Sequence, residues 1–283
     1  MNEHIKLPGG AALDFSGRPL VMGIVNCTED SFFPGSHNPS AEAAVDRALK
    51  EVEAGADIID FGGESTRPGS AYVSAEEEIR RLIPVIRGFR RQCPAPLSVD
   101  TRKLAVARAV LEAGADIIND ISALEDDPGI GPLCAEWKAP VVLMHKKGVP
   151  TDMQQKPYYE DVVGEVTAYL AEAADRALGF GIPREHIILD PGIGFGKRIA
   201  DNLDLMANLS AIRGLGYRVL MGLSRKGTIG ELTGREVGMR LAGTIAANAV
   251  CLMEGADIIR VHDVAEAVDL VKVYAAITAR KGA

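Results

Sequence analysis

"EAGADIID" (residues 53–60), "EAGADIIND" (112–120) and "EGADIIRV" (254–261) carry one message three times. Each closes a helix-like pattern on glycine and then opens a β-branched run. Glycine ends a helix by taking the left-handed cap, and the Ile-Ile pair enters a strand buried on both faces, the mark of a parallel sheet. Five further apolar runs read as strands: "LVMGIVN" (20–26), "PLSVD" (96–100), "PVVLMH" (140–145), "HIILD" (186–190) and "RVLMG" (218–222). Segments with helical periodicity separate them, as at 41–54 and 162–178. An open doubly wound sheet uses the same units, but eight βα repeats in 283 residues favour a closed α/β fold, a (β/α)8 TIM barrel spanning 1–283 as a single domain. "IKLPGGAALDF" (5–15) reads as a short N-terminal hairpin with a Gly-Gly turn, covering the N-terminal mouth. Chemistry is then expected at the opposite mouth.

Composition bounds the partners. A chain that is 47% hydrophobic and 25% charged can bury a large core. The net charge of −8 argues against a broad nucleic-acid surface while leaving room for a local basic pocket, so the expected partner is a small molecule. Cys27, Cys93, Cys134 and Cys251 form no Cys-x-x-Cys pair, and the N-terminus has no basic-then-apolar leader. These features point to the cytoplasm. No apolar run is long enough to span a bilayer.

In a barrel of this kind, chemistry is supplied by the C-terminal strand ends and the loops after them. Those positions hold Asn26, Thr66 and Arg67, Asp100, Asn119, His145, Asp190, Ser224 to Lys226, and Arg260 with His262. Asp100, Asn119, Asp190 and Lys226 suit a flat heterocycle, because a carboxylate can accept two parallel hydrogen bonds from a ring N–H and a neighbouring amino group. Arg67, Arg260 and His262 suit a pyrophosphate, and Asn26 offers a neutral oxygen to a hydrated magnesium ion. Blander readings stand beside these. Asp100 and Asp190 are also ordinary helix caps, Arg225 and Lys226 can be solvated, and Arg260 can belong to a structural ion pair. His145 follows a core-like strand and reads as a packing residue. "DPGIGFGK" (190–197) invites a phosphate-loop reading, but Pro191 and Arg198 stand where a Walker loop needs Gly and Ser or Thr. Its glycines read instead as a turn that lets ligand approach the backbone.

Taken together, "GIVNCTEDSF", "GGESTRPGS", "SVDT", "INDIS", "VLMH", "DPGIGFGK", "GLSRKG" and "RVHDV" run in the order of the folate-pathway dihydropteroate synthase family, which the chain resembles over nearly its whole length. The resemblance implies condensation of 6-hydroxymethyl-dihydropterin pyrophosphate with para-aminobenzoate. It assigns the pterin to Asp100, Asn119, Asp190 and Lys226, with Met144 also in the substrate-binding set. It assigns pyrophosphate and Mg2+ to Asn26, Arg67, Arg260 and His262. Para-aminobenzoate and competing sulfonamides fall to Thr66, Pro68, Phe195 and Ser224. Catalytic roles fall to Asp30, Arg67 and Lys226, on or near loops expected to close over the site. The resemblance also implies a homodimer through outer helices. Departures lie at Glu29, Phe33, Pro34 and Gly35 in the first loop, and at Gly227 after "SRK". Two alternatives share the pocket: a methyltetrahydrofolate methyltransferase, against which "STRPG" and "RVHDV" argue, and a non-catalytic pterin-binding paralogue.

Overall fold

The three repeats end their helices identically in the computed structural model, which describes residues 2–27, 39–64, 72–148 and 157–280. Gly55, Gly114 and Gly255 adopt φ of 102°, 111° and 101°. Each donates its N–H to the residue three before it, and the next alanine donates to the residue five before it, as in Ala56 to Glu51, Ala115 to Val110 and Ala256 to Cys251. Only glycine takes this left-handed cap without strain, so the sequence signal and the helix stop are one fact.

The chain begins with β1 (His4–Lys6) and β2 (Ala12–Asp14), an antiparallel hairpin with Ile5 opposite Leu13. Then follow β3 (Leu20–Asn26), α1 (Pro39–Glu53), β4 (Ile58–Gly62), α2 (Ala75–Arg90), β5 (Leu97–Asp100), α3 (Leu104–Glu112), β6 (Ile117–Asp120), α4 (Ile130–Trp137) and β7 (Val141–Met144). The second half holds α5 (Val162–Gly179), β8 (Ile187–Asp190), α6 (Ile199–Ala207), α7 (Leu209–Arg213), β9 (Arg218–Gly222), α8 (Gly227–Thr233), α9 (Leu241–Met253), β10 (Ile258–Val261) and α10 (Val264–Thr278). The eight strands from β3 to β10 close into a parallel barrel in chain order, β10 pairing with β3. This is the expected (β/α)8 barrel, with the hairpin where the Gly-Gly turn placed it.

Successive residues of a strand point to opposite faces, and this divides the core in two. Ile58, Ile117 and Ile258, with Leu20, Met22, Val142, Ile188 and Leu220, form an inner cluster that Ile5, Leu7 and Leu13 of the hairpin complete. The hairpin therefore closes the floor of the barrel. The neighbouring residues Ile59, Ile118 and Ile259, with Leu143, Leu189 and Met221, join the larger cluster under the helices.

The aspartate of each repeat has a structural task. The backbone N–H of Asp57 donates to Val21 O, and its carboxylate accepts from Val21 N at 2.8 Å. Asp116 does the same to Leu97, accepting at 3.0 Å, and Asp257 to Val219 at 2.9 Å. Each carboxylate also pairs with an arginine: Arg18, Arg90, and both Arg213 and Arg218, respectively. All three copies of the motif thus clasp their strand, β4, β6 or β10, to the strand before it at the closed end of the barrel.

Candidate active site

The strand period carries the inner face one layer up from the hydrophobic floor. Two residues beyond Ile58, Ile117, Val142, Ile188, Leu220 and Ile258 stand Asp60, Asn119, Met144, Asp190, Gly222 and Arg260. They are joined by Asp100, two residues after the buried Ser98. The polar mouth is therefore the next turn of the pattern that built the apolar core.

Arg260 organises one side of it. Its Nε donates to Asp60 Oδ2 at 2.7 Å and its Nη2 to Asp100 Oδ2 at 3.3 Å. Asn119 Nδ2 donates to the same Asp60 Oδ2 at 3.3 Å. Burial works against charge on Arg260, but Asp60 and Asp100 outweigh it and hold the guanidinium protonated. Burial likewise pushes the Asp100 carboxyl up, against the pull of Arg260. The ion-pair reading of Arg260 is the one found, and it interlocks the two expected groups by tying Arg260 to Asp100.

Asp190 and Lys226 occupy the other side. Asp190 Oδ1 accepts from Gly192 N at 2.7 Å, a turn bond within its own loop; the next helix, α6, is capped by Arg198 and Asp201 rather than by Asp190. A Cβ added to Gly222 would lie 4.0 Å from Asp190 Oδ2 and 3.9 Å from Lys226 Nζ, so the missing side chain leaves both groups facing the same space. Burial raises the Asp190 carboxyl, opposed first by Lys226. Burial lowers Lys226 to about 8, opposed by Asp190. The lysine also donates to Ile193 O and stands 4.7 Å from the centre of the Phe195 ring. Asp100 caps no helix: α3 receives its cap from Asp127, whose Oδ2 accepts from Leu104 N at 2.9 Å.

Ser224 and His262 meet: the hydroxyl accepts from His262 N at 3.1 Å and lies 2.9 Å from its Nδ1. Arg225 sits between them and Lys226 in the left-handed region, φ 57°, and its guanidinium makes a two-point ion pair with Asp263. The "SRK" and "RVHDV" segments are thus one unit, and Arg225 is a strut between loops rather than a solvated charge.

The "DPGIGFGK" turn corrects one expectation. Gly192 and Gly196 do not keep the backbone open for a ligand; they admit the neighbouring loop. A Cβ at Gly192 would lie 1.9 Å from His145 O, and one at Gly196 would lie 2.0 Å from Lys147 O. Lys197, unassigned from sequence, ties this contact together. It is 3% exposed, and its Nζ reaches His145 Nδ1 at 2.8 Å, Gly192 O at 2.9 Å and Phe195 O at 3.2 Å. Burial lowers it to about 7. Burial and Lys197 together lower His145 to about 3, so the imidazole is neutral, packed edge-on against Tyr169 at 4.8 Å, as its packing reading required. Lys146 pairs with Asp126 at 2.8 Å.

Asn26 ends β3 with its Oδ1 3.9 Å from the position a Gly62 Cβ would take, a point equally far from Asp100 Cβ. Asp30, Thr66, Arg67 and Pro68, with Glu29, Phe33, Pro34 and Gly35, lie outside the described residues. Asp60 was passed over in sequence, although it occupies the same place in its repeat as Asn119 and Arg260 do in theirs.

A family model described as pterin binding enzyme matches residues 22–262. Dihydropteroate synthase of Escherichia coli (strain K12) is 45% identical over 272 residues, covering 96% of each chain. Among solved structures, the Xanthomonas albilineans dihydropteroate synthase with 4-aminobenzoic acid superposes with a TM-score of 0.92 at 48% identity, over 99% of both chains. The Yersinia pestis enzyme in a sulfonamide drug complex gives 0.91 at 40% identity, over 98% of this chain and 99% of that one. With a match that runs from the first barrel strand to just past the last, and relatives so named along nearly its whole length, the chain belongs to the pterin-binding enzyme family, on its dihydropteroate synthase branch.

Proposed function

We propose that the chain, as one catalytic domain, condenses 6-hydroxymethyl-7,8-dihydropterin pyrophosphate with para-aminobenzoate, giving 7,8-dihydropteroate and pyrophosphate. The observation that carries the reading is the polar layer above the barrel floor. There Asp100, Asn119 and Asp190 offer acceptors to the ring N–H and amino edge of a pterin, and Lys226 balances the charge of Asp190. Met144 supplies an apolar wall, and Phe195 and Ser224, with Thr66 and Pro68, are assigned to the aryl ring.

In the reaction the bond from the pterin methylene carbon to the pyrophosphate oxygen breaks, and its electron pair leaves with pyrophosphate. The electron-rich pterin stabilises the cationic carbon. The aryl amine nitrogen then forms the new C–N bond and releases a proton. No covalent enzyme nucleophile is needed. The chain would orient the two reactants, with Arg67, Arg260 and His262 as the donors assigned to the leaving group and Asp30 assigned to the loop expected to close.

Magnesium fits as a ligand shared with pyrophosphate. Among the described residues no cluster of three His, Cys, Asp or Glu side chains could hold a metal alone. A hard, hydrated cation of this kind takes one or two protein oxygens and otherwise water and phosphate, and Asn26 supplies such an oxygen at the mouth. When bound, it would neutralise charge on the leaving group.

Sulfonamides, which present an aryl amine and a polar end, are expected to compete with para-aminobenzoate. A cytoplasmic setting suits four cysteines that all carry free thiols, and no helix among the described residues is long and apolar enough to cross a membrane. A homodimer is supported by the large apolar side chains that α9 and α10 expose.

The test is pyrophosphate release from the pterin pyrophosphate with and without para-aminobenzoate, with dihydropteroate followed by chromatography. Release coupled to product is expected. Pterin binding with neither release nor product would leave a non-catalytic binder. Asp190→Ala is expected to weaken pterin binding at least about a hundredfold in a folded protein, because a site built to accept two donors loses its acceptor. Unchanged affinity would remove Asp190 from the pocket.

A further inference from the structure

Asp60 is wholly buried on the inner face of β4, yet only one of its oxygens is engaged. Oδ2 accepts from Arg260 Nε at 2.7 Å and Asn119 Nδ2 at 3.3 Å, and lies 2.6 Å from Arg260 Nη2 in the ion pair. Oδ1 is buried and meets no hydrogen-bond donor among the described residues. Burying Oδ1 without a donor carries a desolvation cost that the Arg260 pair on Oδ2 offsets in part. What it supplies in exchange is orientation.

A carboxylate can only accept, so the amide of Asn119 must turn its nitrogen toward Asp60 and present its carbonyl oxygen elsewhere. The same oxygen of Asp60 fixes the plane of the Arg260 guanidinium beside Asp100. We propose that Asp60 is a positioning residue that sets the polarity of the pterin pocket: by holding the Asn119 amide one way round, it makes Asp100, Asn119 and Asp190 all acceptors, so that the pocket selects a ring edge of donors. The repeat gives this arrangement its logic. Asp60, Asn119 and Arg260 hold the same place in three copies of one motif, two residues beyond an inward isoleucine, and the barrel brings the three copies to one point.

The inference rests on the pterin-pocket reading, and the experiment separates the two. In the full chain, affinity for 6-hydroxymethylpterin and for the matching lumazine, whose 2-oxo group replaces the 2-amino donor, is measured by calorimetry for Asp60→Asn and Asp60→Leu. Thermal unfolding confirms folding, and Asp60→Asn, which keeps the size of the side chain and an acceptor for Arg260, carries the test if the unpaired Arg260 destabilises Asp60→Leu. Pterin affinity is expected to fall about ten- to a hundredfold, as for loss of a charged hydrogen-bond network. The preference for pterin over lumazine is expected to narrow by about tenfold, because the Asn119 amide is free to turn over. KM for para-aminobenzoate should stay within about twofold in Asp60→Asn. Adding Asp60→Asn to Asn119→Ala should cost less than threefold more than Asn119→Ala alone, the signature of residues acting together. Folded variants that keep both pterin affinity and the pterin preference overturn the inference, as does full multiplicativity with Asn119→Ala. If Asp190→Ala also leaves pterin binding intact, the pocket reading fails; if Asp190→Ala abolishes binding while the Asp60 variants keep it, this inference fails alone.

Discussion

Lys197 shows what one buried cation implies for pH. Its ordinary value of 10.5 is lowered by burial to about 7 in the folded chain. Between those values the unfolded chain holds a proton that the folded chain has released, so unfolding takes up a proton and stability rises with pH. One such group contributes a slope of up to about 1.4 kcal/mol per pH unit, present from about pH 7 upward and fading as pH approaches 10.5. Urea unfolding of the wild type and Lys197→Met from pH 6 to 10 should show the mutant losing this slope, whatever its absolute stability. Parallel curves would mean that the folded lysine stays charged. The glycines that Lys197 braces supply a second test. Gly192→Ala meets His145 O at 1.9 Å with φ at 67°, while a Cβ at Gly194, φ 83°, meets only Lys226 Cδ at 3.5 Å. Loss of more than roughly 3 kcal/mol is expected for the first, and roughly 1 kcal/mol for the second, by chemical denaturation. None of this was legible in "DPGIGFGK" itself. Its acid and its phenylalanine could be read because strand ends in this fold carry function, whereas the partners of its glycines and lysine lie about 50 residues away and leave no local pattern.

At the scale of elements, the repeated motif was legible as helix stop and strand start because both signals are local: a glycine cap and a β-branched run. The aspartate inside it was not, because its partners Val21, Leu97 and Val219 belong to the preceding strand. Asp60 is legible only through its register with Asn119 and Arg260 in the other two copies, because those partners lie 59 and 200 residues away. The clasps differ in burial, and their energetic weight should follow. Asp116 is 2% exposed, is bound to Arg90 and Leu97 N, and also accepts from Gly9 N at 3.1 Å, which fastens the hairpin to the barrel. Asp116→Ala is expected to cost about 3–5 kcal/mol, because it leaves the largely buried Arg90 without its carboxylate and frees the hairpin tip. Asp57 and its partner Arg18 are more exposed, at 21% and 38%, and Asp57→Ala should cost roughly half as much or less. Denaturant midpoints for the two variants decide this; equal losses would mean that burial does not set the strength of the clasp.

For the whole molecule, the question is what covers the outside of the last βα unit. A barrel helix turns its apolar stripe to the strands and a polar face to water. Helices α9 and α10 do the first with Cys251, Leu252, Ala267 and Val271, all buried. They fail to do the second: Val250 and Met253 on α9, and Val273 and Ile277 on α10, are large, apolar and exposed. The two helices are neighbours, joined where the Tyr274 hydroxyl donates to Leu252 O at 2.9 Å, so these side chains belong to one flank of the barrel. A self-complementary apolar patch is the ordinary basis of a two-fold dimer. Light scattering of the wild type should therefore give twice the chain mass of 30.1 kDa. Met253→Glu with Ile277→Glu should give the single-chain mass, since two charges on each copy would face an apolar surface. The pair lies on the outer flank, away from the inward layer that holds Asp100, Asn119 and Asp190, so the separated chain should still bind a pterin with nearly wild-type affinity. A wild type that is already monomeric at micromolar concentration removes the patch as an interface. A separated variant that is folded but no longer binds pterin would show that the mouth depends on the second copy, and the site would then belong to the assembly rather than to one barrel.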